Sequence, residues 1–436
     1  MRRKKKRGSR LRKWLVRIII LGIVVSAPIV LGVFRQSSVA DHIEQPLTEA
    51  EMVSLIPRGK ELALAGDCFG CHSLPNGAMG AGGVPIDMPV GVIYSTNITP
   101  DKEYGIGNYT RADFHRALKD GIGKQGNLYP AMPFVFTHIT TPDDLDALYA
   151  YIMSIPPLAV PNQENTGVFV LPVRPFLNFW TLLNFPDRKA PNNPERTDAW
   201  NRGAYLVEGL AHCGACHSPR NLMMGVEFDQ SLTGGFVDGL AIPDITAEAL
   251  SKHGFSIESL TEYLSTGISP EGDSFAGMNT VTHFSTSQMN QSDVVAMANY
   301  LLTDQAGRLL GAQAEPEPLA VIEELPLEQR MMNGRLSYIA ACSGCHGIDG
   351  MGIPNVVPSL KGDAIVMMDN PQTLISVVLN GLATTTYTNQ QRYYAMPAFV
   401  DRMDKQNIAD LLMWIRAEWG GQSTPISAKD IAKEKK

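Results

Sequence analysis

The first 40 of the 436 residues contain no acidic side chain, and the rest of the chain is short of basic ones. Eleven of the 37 Lys and Arg lie in that first segment, so residues 41–436 carry 26 basic against 44 acidic side chains. The net negative charge of residues 41–436 argues against a nucleic-acid partner, because phosphate binding needs clustered Lys and Arg. The nucleophile elbow of α/β-hydrolases and the P-loop are also missing. With 44% apolar residues the chain can bury the cores of two to four domains, which excludes a disordered or collagen-like protein.

Cysteine is scarce, and its six copies all fall in three C-x-x-C-H motifs. This motif is the attachment signature of c-type haem, in which two thiols form thioethers and the histidine becomes the proximal iron ligand. Disulfides alone would not explain a histidine after every pair, and a zinc site needs four ligands where each motif supplies three. The sequence therefore predicts three covalent haems c. The attachment and proximal residues are Cys68, Cys71 and His72, then Cys213, Cys216 and His217, then Cys342, Cys345 and His346.

The N-terminus carries a signal for export or membrane anchoring. Ten basic residues precede an apolar run over residues 18–34, whose only polar side chain is Ser26. The run has about the minimum length of a membrane-spanning helix, and the positive-inside rule keeps its N-terminal side in the cytoplasm. We expect an uncleaved anchor in the bacterial inner membrane, with the haem domains in the periplasm. A cleaved signal peptide that ends at Ala40 is the alternative.

The three motifs belong to three similar units, each with a helical segment before the motif and an amphipathic helix at its end. The first helices are expected near Gly59, Gly203 and Gly334. We predict an all-α fold of three tandem class I cytochrome c domains behind an N-terminal transmembrane helix. The closing helices show apolar residues at Leu145/Leu148/Tyr151, Val294/Met297/Tyr300 and Ile408/Leu411/Trp414. The predicted segments are a basic segment with anchor or signal at 1–40, cytochrome c domains at 45–160, 197–310 and 327–420, a Pro-rich linker at 161–196, a second linker at 311–326 and a polar tail at 421–436. Within the first linker, residues 176–185 are expected to form a helix packed on the neighbouring domains, with contact to a partner or lipid as the alternative.

The sixth iron position decides whether a haem carries electrons or binds ligands, and a methionine thioether closes it. Met132 and Met396 each lie in an Ala-Met-Pro sequence, 60 and 50 residues after their motif histidines. Met278 follows the second motif histidine by 61 residues but lacks the proline, so Met289 is held in reserve. For His346 we expect the Pro358 carbonyl to accept the bond from the other ring nitrogen. Five further histidines are expected to be surface or satisfied groups rather than iron ligands, namely His115, His138, His212, His253 and His283.

Three stretches resemble the three-haem cytochrome c subunit of membrane-bound bacterial dehydrogenases, the family that serves alcohol, gluconate, sorbitol, fructose and aldehyde dehydrogenases. These stretches are residues 94–155, residues 202–221 and residues 342–397. The resemblance implies proximal His72, His217 and His346 and distal Met132, Met278 and Met396. It also implies electron flow from a catalytic subunit towards ubiquinone or a terminal oxidase. The family commonly has Gly-Pro-Met at the second distal position and often a C-terminal membrane attachment, and this chain departs from both.

The leading hypothesis is therefore an electron-transfer subunit and not an enzyme, because no catalytic constellation accompanies the haem motifs. The dehydrogenase chemistry would belong to a partner, a quinoprotein, flavoprotein or molybdoprotein, at the membrane. The alternatives are a free-standing membrane-tethered electron shuttle and a haem enzyme with one open distal site, most readily the second.

Overall fold

A computed structural model describes residues 14–17, 19–20, 22–23, 45–74, 77–237, 239–312, 327–422 and 424–434. The predicted apolar span over residues 18–34 and the predicted linker over residues 311–326 fall largely outside these ranges. No helix among the described residues has the length and apolar character needed to cross a membrane. The chain divides into two compact units, Met1–Leu62 with Cys71–Ala190, and Ala63–Gly70 with Pro191–Lys436. The division into three haem domains stays a prediction.

Helices are the longest elements of the first unit, and local sequence sets where they begin and end. The helix Arg111–Asp120 starts at a capping box, in which the Thr110 hydroxyl accepts from the Asp113 amide and the Asp113 carboxylate accepts from the Thr110 amide. It stops at Gly121, whose φ of +64° suits a residue without Cβ. The helices of this part are Glu49–Ala65, Cys68–His72, Arg111–Asp120, Phe134–Thr137, Pro142–Ser154 and Leu177–Asn184, with 3₁₀ turns at Gly167–Val170 and Arg174–Phe176.

The second unit contains two further sets of helices, one before the second linker and one after it. The helix Ile257–Thr266 again starts at a capping box, from Ser256, and ends at a glycine with positive φ, Gly267. The helices before the linker are Asp198–Tyr205, which continues as a π-helix over Leu206–Leu210, then Gly214–His217, Ala247–Lys252, Ile257–Thr266, Ala276–Phe284 and Gln291–Leu301, with 3₁₀ turns at Phe228–Gln230 and Thr286–Gln288. Those after the linker are Leu327–Ala341, Ser343–His346, Ala364–Met367, Gln372–Asn380, Lys405–Trp419 and Ala428–Lys433.

Short β-hairpins correct the expectation of an all-α chain. Five two-stranded antiparallel sheets occur among the described residues, each closed by a local turn. Their strands have only two to four residues, too few to produce the alternating pattern by which a strand is recognised in sequence. The pairs are Pro85–Met88 with Gly91–Tyr94, Ile122–Gly123 with Gly126–Asn127, Gly235–Val237 with Leu240–Ile242, Ile268–Ser269 with Gly272–Asp273, and Thr385–Thr386 with Arg392–Tyr393.

In each predicted unit, the first helix crosses the closing helix at a glycine. A Cβ placed on Gly203 would lie 1.9 Å from the Ala296 carbonyl oxygen, and one on Gly334 would lie 2.2 Å from the Asp410 carbonyl oxygen. Gly59 makes the same approach to the Ala147 carbonyl, at 1.9 Å. The expectation that these helices start near the glycines is wrong, because the helices begin at Glu49, Asp198 and Leu327 and carry the glycines inside.

The predicted apolar faces of the closing helices are confirmed as core except at their aromatic ends Tyr151 and Tyr300, which are half-buried. Leu145 and Leu148 are buried in the first unit, as are Val294, Met297, Ile408 and Leu411 in the second.

A buried ion pair fixes the last core. Arg330 Nε donates to Asp410 Oδ1 at 2.6 Å, and Arg330 Nη2 donates to the Ile426 carbonyl at 2.6 Å. Ile426 and Ile431 pack in the same core as Tyr338 and Trp414. Residues 421–436, predicted as a polar tail, thus contribute two apolar anchors to this core.

The predicted linker helix forms over Leu177–Asn184, and one side of it packs on the first unit. The Trp180 ring meets Phe134 edge-on with 6.3 Å between centroids, and Phe185 stacks on Phe134 at 5.9 Å. The expectation of a packed helix is confirmed for this side. Phe179, Leu182 and Leu183 remain exposed on the helix.

Candidate haem sites

Each C-x-x-C-H motif lies on or beside a short helix that follows the first helix of its unit. The helix Cys68–His72 contains the whole first motif, and the second and third motifs end the helices Gly214–His217 and Ser343–His346. One helical turn places both sulfurs and the imidazole of a motif on one side. None of the six cysteines, all of which the structure describes, forms a disulfide, and the second cysteine of every motif, Cys71, Cys216 and Cys345, is exposed. Exposed thiols beside a fixed imidazole suit thioether attachment of a haem.

Every motif histidine is oriented by a backbone carbonyl. His72 Nδ1 lies 2.6 Å from the Thr96 oxygen, and His217 Nδ1 lies 2.8 Å from the Pro243 oxygen. His346 Nδ1 lies 3.1 Å from the Pro358 oxygen, which confirms the partner predicted from sequence. Because a carbonyl only accepts, Nδ1 must carry the proton, and the Nε2 lone pair is left for a metal.

Electrostatics favours the same neutral imidazoles. Burial lowers the pKa of His72, His217 and His346 below the ordinary histidine value, and the carbonyl bond opposes this only in part. An imidazole ligates iron in its neutral form. The residues present therefore fit a haem c at each motif, by thiol placement, tautomer and protonation state.

The methionine candidates occupy equivalent places in the chain. In the first unit the helix ending at Gly121 is followed by the hairpin Ile122–Asn127, and Met132 comes eleven residues after that glycine. Met278 comes eleven residues after Gly267, beyond the hairpin that starts at Ile268. The same order of helix, glycine with positive φ, hairpin and methionine leads from Gly381 to Met396.

Local structure around the methionines differs between units. Met132 lies in a turn, with its amide bonded to the Tyr129 carbonyl at 2.9 Å. Met396 pairs with Leu382 in an isolated bridge. Met278 instead lies inside the helix Ala276–Phe284, after Ala276 with a φ of +47°. Met289, the reserve candidate, is buried in the core with Leu264 and Met297. The assignment of distal ligands stays a prediction.

In two of the competing histidines, His115 and His138, Nε2 has a polar partner but the buried Nδ1 has none among the described residues, so the expectation of satisfied histidines holds only in part. His115 is fully buried, and its Nε2 lies 2.8 Å from Asp146 Oδ1, a carboxylate that Arg111 also contacts. His138 Nε2 lies 3.1 Å from the Arg188 carbonyl. Burial lowers the pKa of His138, of His212 and of His253.

A glycine string in the first unit has the spacing of a dinucleotide-binding fingerprint but another structure. Gly121, Gly123 and Gly126 match G-x-G-x-x-G. The fingerprint follows a strand and opens a helix, whereas here the string ends the helix Arg111–Asp120 and forms a hairpin. It provides no nucleotide site. Across the described ranges, no three His, Cys, Asp or Glu side chains converge as a metal cluster.

Sequence reasoning missed two of the three proximal carbonyls. Thr96 lies 24 residues after His72 and Pro243 lies 26 residues after His217, in both cases beyond a β-hairpin. Pro358 is only 12 residues from His346 and was within reach of a local argument. A β-hairpin precedes both carbonyls and would have located them, but its strands are too short to be recognised in the sequence.

The chain is rich in helices, repeats a haem-attachment motif, and holds each motif histidine by a backbone carbonyl. These features are those of a multidomain c-type cytochrome. The family model of cytochrome c matches residues 56–156 and 331–419. The chain belongs to the family of cytochrome c subunits of dehydrogenases, represented by the gluconate, alcohol and fructose enzymes.

Three relatives show the range of similarity. The gluconate 2-dehydrogenase cytochrome c subunit of Pantoea cypripedii is 34% identical over 402 residues, which cover 88% of this chain and 90% of that protein. The fructose dehydrogenase cytochrome subunit of Gluconobacter japonicus is 33% identical over 401 residues, or 86% and 82% of the two chains. One of the nicotinate dehydrogenase subunits of Pseudomonas putida is 38% identical over 369 residues, which cover 83% of this chain but only 30% of that longer protein.

Proposed function

We propose that this chain is a three-haem electron-transfer subunit that relays electrons from the catalytic subunit of a periplasmic dehydrogenase to the respiratory chain. The observation that carries the proposal is the threefold repetition of one site, with paired thiols, a carbonyl-oriented histidine and a methionine beyond a hairpin. Relatives named as cytochrome subunits of gluconate and fructose dehydrogenases support the partner class. The catalytic subunit would be a quinoprotein, flavoprotein or molybdoprotein.

In this proposal the haems supply one-electron carriers, and the chain sets their coordination. His72, His217 and His346 hold the proximal side, each fixed by its carbonyl partner. Met132, Met278 and Met396 would supply the second ligand to each iron, and such ligation would raise the reduction potential and keep other ligands away from the iron. Ubiquinone or a terminal oxidase would be the acceptor, and residues 1–40 would hold the haem domains at the periplasmic face of the inner membrane.

Co-purification from the native membrane tests the assignment. The tagged full chain is recovered after gentle solubilisation, its partners are identified by mass spectrometry, and the substrate of the catalytic subunit found is added while haem absorption is followed. We expect a dehydrogenase catalytic subunit in the eluate and substrate-dependent haem reduction. The matched control is the Cys342→Ser/Cys345→Ser variant, which should retain only two reducible haems. A chain recovered alone, or only with an oxidase, would overturn the assignment to a dehydrogenase.

A second candidate function, a haem enzyme with an open distal position, is supported by the geometry of the second site. Met278 lies within a helix and lacks the proline that follows Met132 and Met396, and the cytochrome c family model does not extend over residues 157–330. Carbon monoxide binding to the reduced protein separates the candidates. An electron carrier leaves the spectrum unchanged, whereas an open second haem binds one equivalent.

A further inference from the structure

Two carboxyl groups, the buried Asp363 and the half-buried Asp273, lie together where the second predicted haem domain meets the third, inside the second compact unit. The hairpin Ile268–Asp273 contacts the start of the helix Ala364–Met367, where the Ala364 amide donates to the Glu271 carbonyl at 2.7 Å. Asp363 Oδ2 lies 3.3 Å from the position that a Cβ on Gly272 would take. Asp273 follows that glycine directly and its charge acts on Asp363, so the two carboxyl groups are neighbours although they are ninety residues apart in sequence.

Hydrogen bonds satisfy part of each carboxyl. Asp363 Oδ1 caps its helix by accepting from the Ile365 amide at 2.8 Å and from the Val366 amide at 3.3 Å. Tyr387 Oη lies 3.2 Å from Asp273 Oδ2 and 3.0 Å from the Ser274 carbonyl oxygen. A tyrosine that donates to that carbonyl can accept a hydrogen bond from a protonated Asp273 Oδ2, so the site has a place for a carboxylic acid.

The surroundings disfavour two negative charges. Burial is the main cause that raises the pKa of Asp273, and burial together with the Asp273 charge raises the pKa of Asp363. No Lys, Arg or His of the described chain acts on either carboxyl. The other titratable groups facing the pair are neutral phenols or a further acid. They are Tyr263 on the helix Ile257–Thr266, Glu271 in the hairpin, and Tyr387 and Tyr393 from the last hairpin.

We propose that Asp273 and Asp363 form a proton-binding site that holds one shared proton at this domain junction and takes up protons from water as the flanking haems are reduced. Electrons and protons balance on reduction: the dehydrogenase would deliver one electron to ferric iron, which would become ferrous, and a carboxylate of the pair would bind one proton from solvent. No bond other than that O–H bond forms. The redox link rests on the proposed function, whereas the proton site itself does not.

The position of the pair in the chain supplies the link to the haems. Asp273 is five residues before Met278, and the segment that contains Tyr387 leads through the strand Arg392–Tyr393 to Met396. Both predicted distal ligands are thus attached to elements that contact the carboxyl site. A charge that appears at either iron on reduction changes the electrostatic potential at the pair, and the reciprocal effect follows by linkage.

The test uses the full haem-loaded chain and three variants. Asp363→Asn keeps an oxygen that can cap the helix but removes the acid, because asparagine is as good an N-cap as aspartate. Tyr387→Phe removes the phenol that contacts Asp273. The matched control, Glu248→Gln, removes an exposed carboxyl from the same predicted domain. Infrared difference spectra between acidic and alkaline solution report protonated carboxyls, and spectroelectrochemistry across the same pH range reports the haem potentials.

We expect a protonated carboxyl signal near neutral pH that persists in Glu248→Gln and is lost in Asp363→Asn. Tyr387→Phe should shift its titration. At least one haem potential should fall with rising pH in the original protein and stay flat in Asp363→Asn. An infrared signal unchanged by Asp363→Asn would overturn the proton site, and potentials with the same pH dependence in both proteins would overturn the redox link. The infrared arm needs no electron transfer, so its outcome is distinguishable from a failure of the proposed function.

Discussion

Gly334→Ala should destabilise the packing of the helix Leu327–Ala341 against the helix Lys405–Trp419, which cross at Gly334. The added Cβ would lie 2.2 Å from the Asp410 carbonyl oxygen and 2.7 Å from the Trp414 Cβ, both far inside contact distance. Neither atom can rotate away, because one is backbone and the other is fixed to it. The helices Leu327–Ala341 and Lys405–Trp419 must therefore separate, and their shared core with Tyr338 and Trp414 must loosen.

The magnitude follows from two opposing effects. Overpacking a core costs about 1–3 kcal/mol, and two backbone-fixed clashes place this site at the upper end, about 3 kcal/mol. Alanine is favoured over glycine inside a helix by about 1 kcal/mol. The net loss is about 2 kcal/mol, which for a unit of this size lowers the unfolding temperature by about 4–8 °C.

Differential scanning calorimetry of the haem-loaded chain measures the effect. Gly344→Ala is the matched control, since a Cβ there meets no atom within 4 Å and the second motif already has Ala215 at this position. The control should melt within about 2 °C of the original protein, as an ordinary surface substitution does. An unchanged or raised melting temperature for Gly334→Ala would refute the close crossing of the two helices.

Three further predictions concern the ion pair, pH and coordination. Arg330→Met should cost about 3–5 kcal/mol in urea unfolding because it leaves Asp410 buried without its cation, whereas Lys433→Met at the exposed Asp430 pair should cost less than about 1 kcal/mol; equal losses would contradict the burial argument. Folding raises the pKa of Asp273 from 3.8 to about 6 and the pKa of Asp363 from 3.8 to about 8. The folded protein therefore binds protons more tightly than the unfolded one. The free energy of unfolding should fall as pH rises from about 4 to about 8. Asp363→Asn should flatten that fall in a thermal-melting series; the same slope in both proteins would speak against it. Met396→Leu should convert one haem to a form that binds carbon monoxide and lower one potential, with Met297→Leu as the buried control that leaves the spectrum unchanged.

Local patterns in the sequence predict the haem sites but not the long-range contacts around them. The C-x-x-C-H motifs and the apolar faces of the closing helices depend on neighbouring residues, and helical periodicity reports them directly. The carbonyl partner of His346, only 12 residues away, was also predictable. Thr96 and Pro243 were not, because a hairpin of very short strands separates each from its histidine.

The features that could not be predicted from the sequence depend on contacts between residues far apart in the chain or on strands of very few residues. The first helix of the third unit was expected to begin near Gly334, and only the approach of the Asp410 carbonyl explains why a glycine is needed inside that helix. The Asp273 and Asp363 pair has no local signature either, since the two residues come together only when the hairpin meets the helix start. The hairpins were missed because their strands are too short to show a pattern, and the chain was therefore expected to be all-α.

Intact-mass spectrometry of the full chain, produced in a host that attaches haem c, counts the covalent haems. We expect a mass equal to the polypeptide plus three haems, reduced by one haem in the Cys213→Ser/Cys216→Ser variant. Fewer than three haems on the original chain, or a variant that keeps the same haem count, would contradict the three-haem relay.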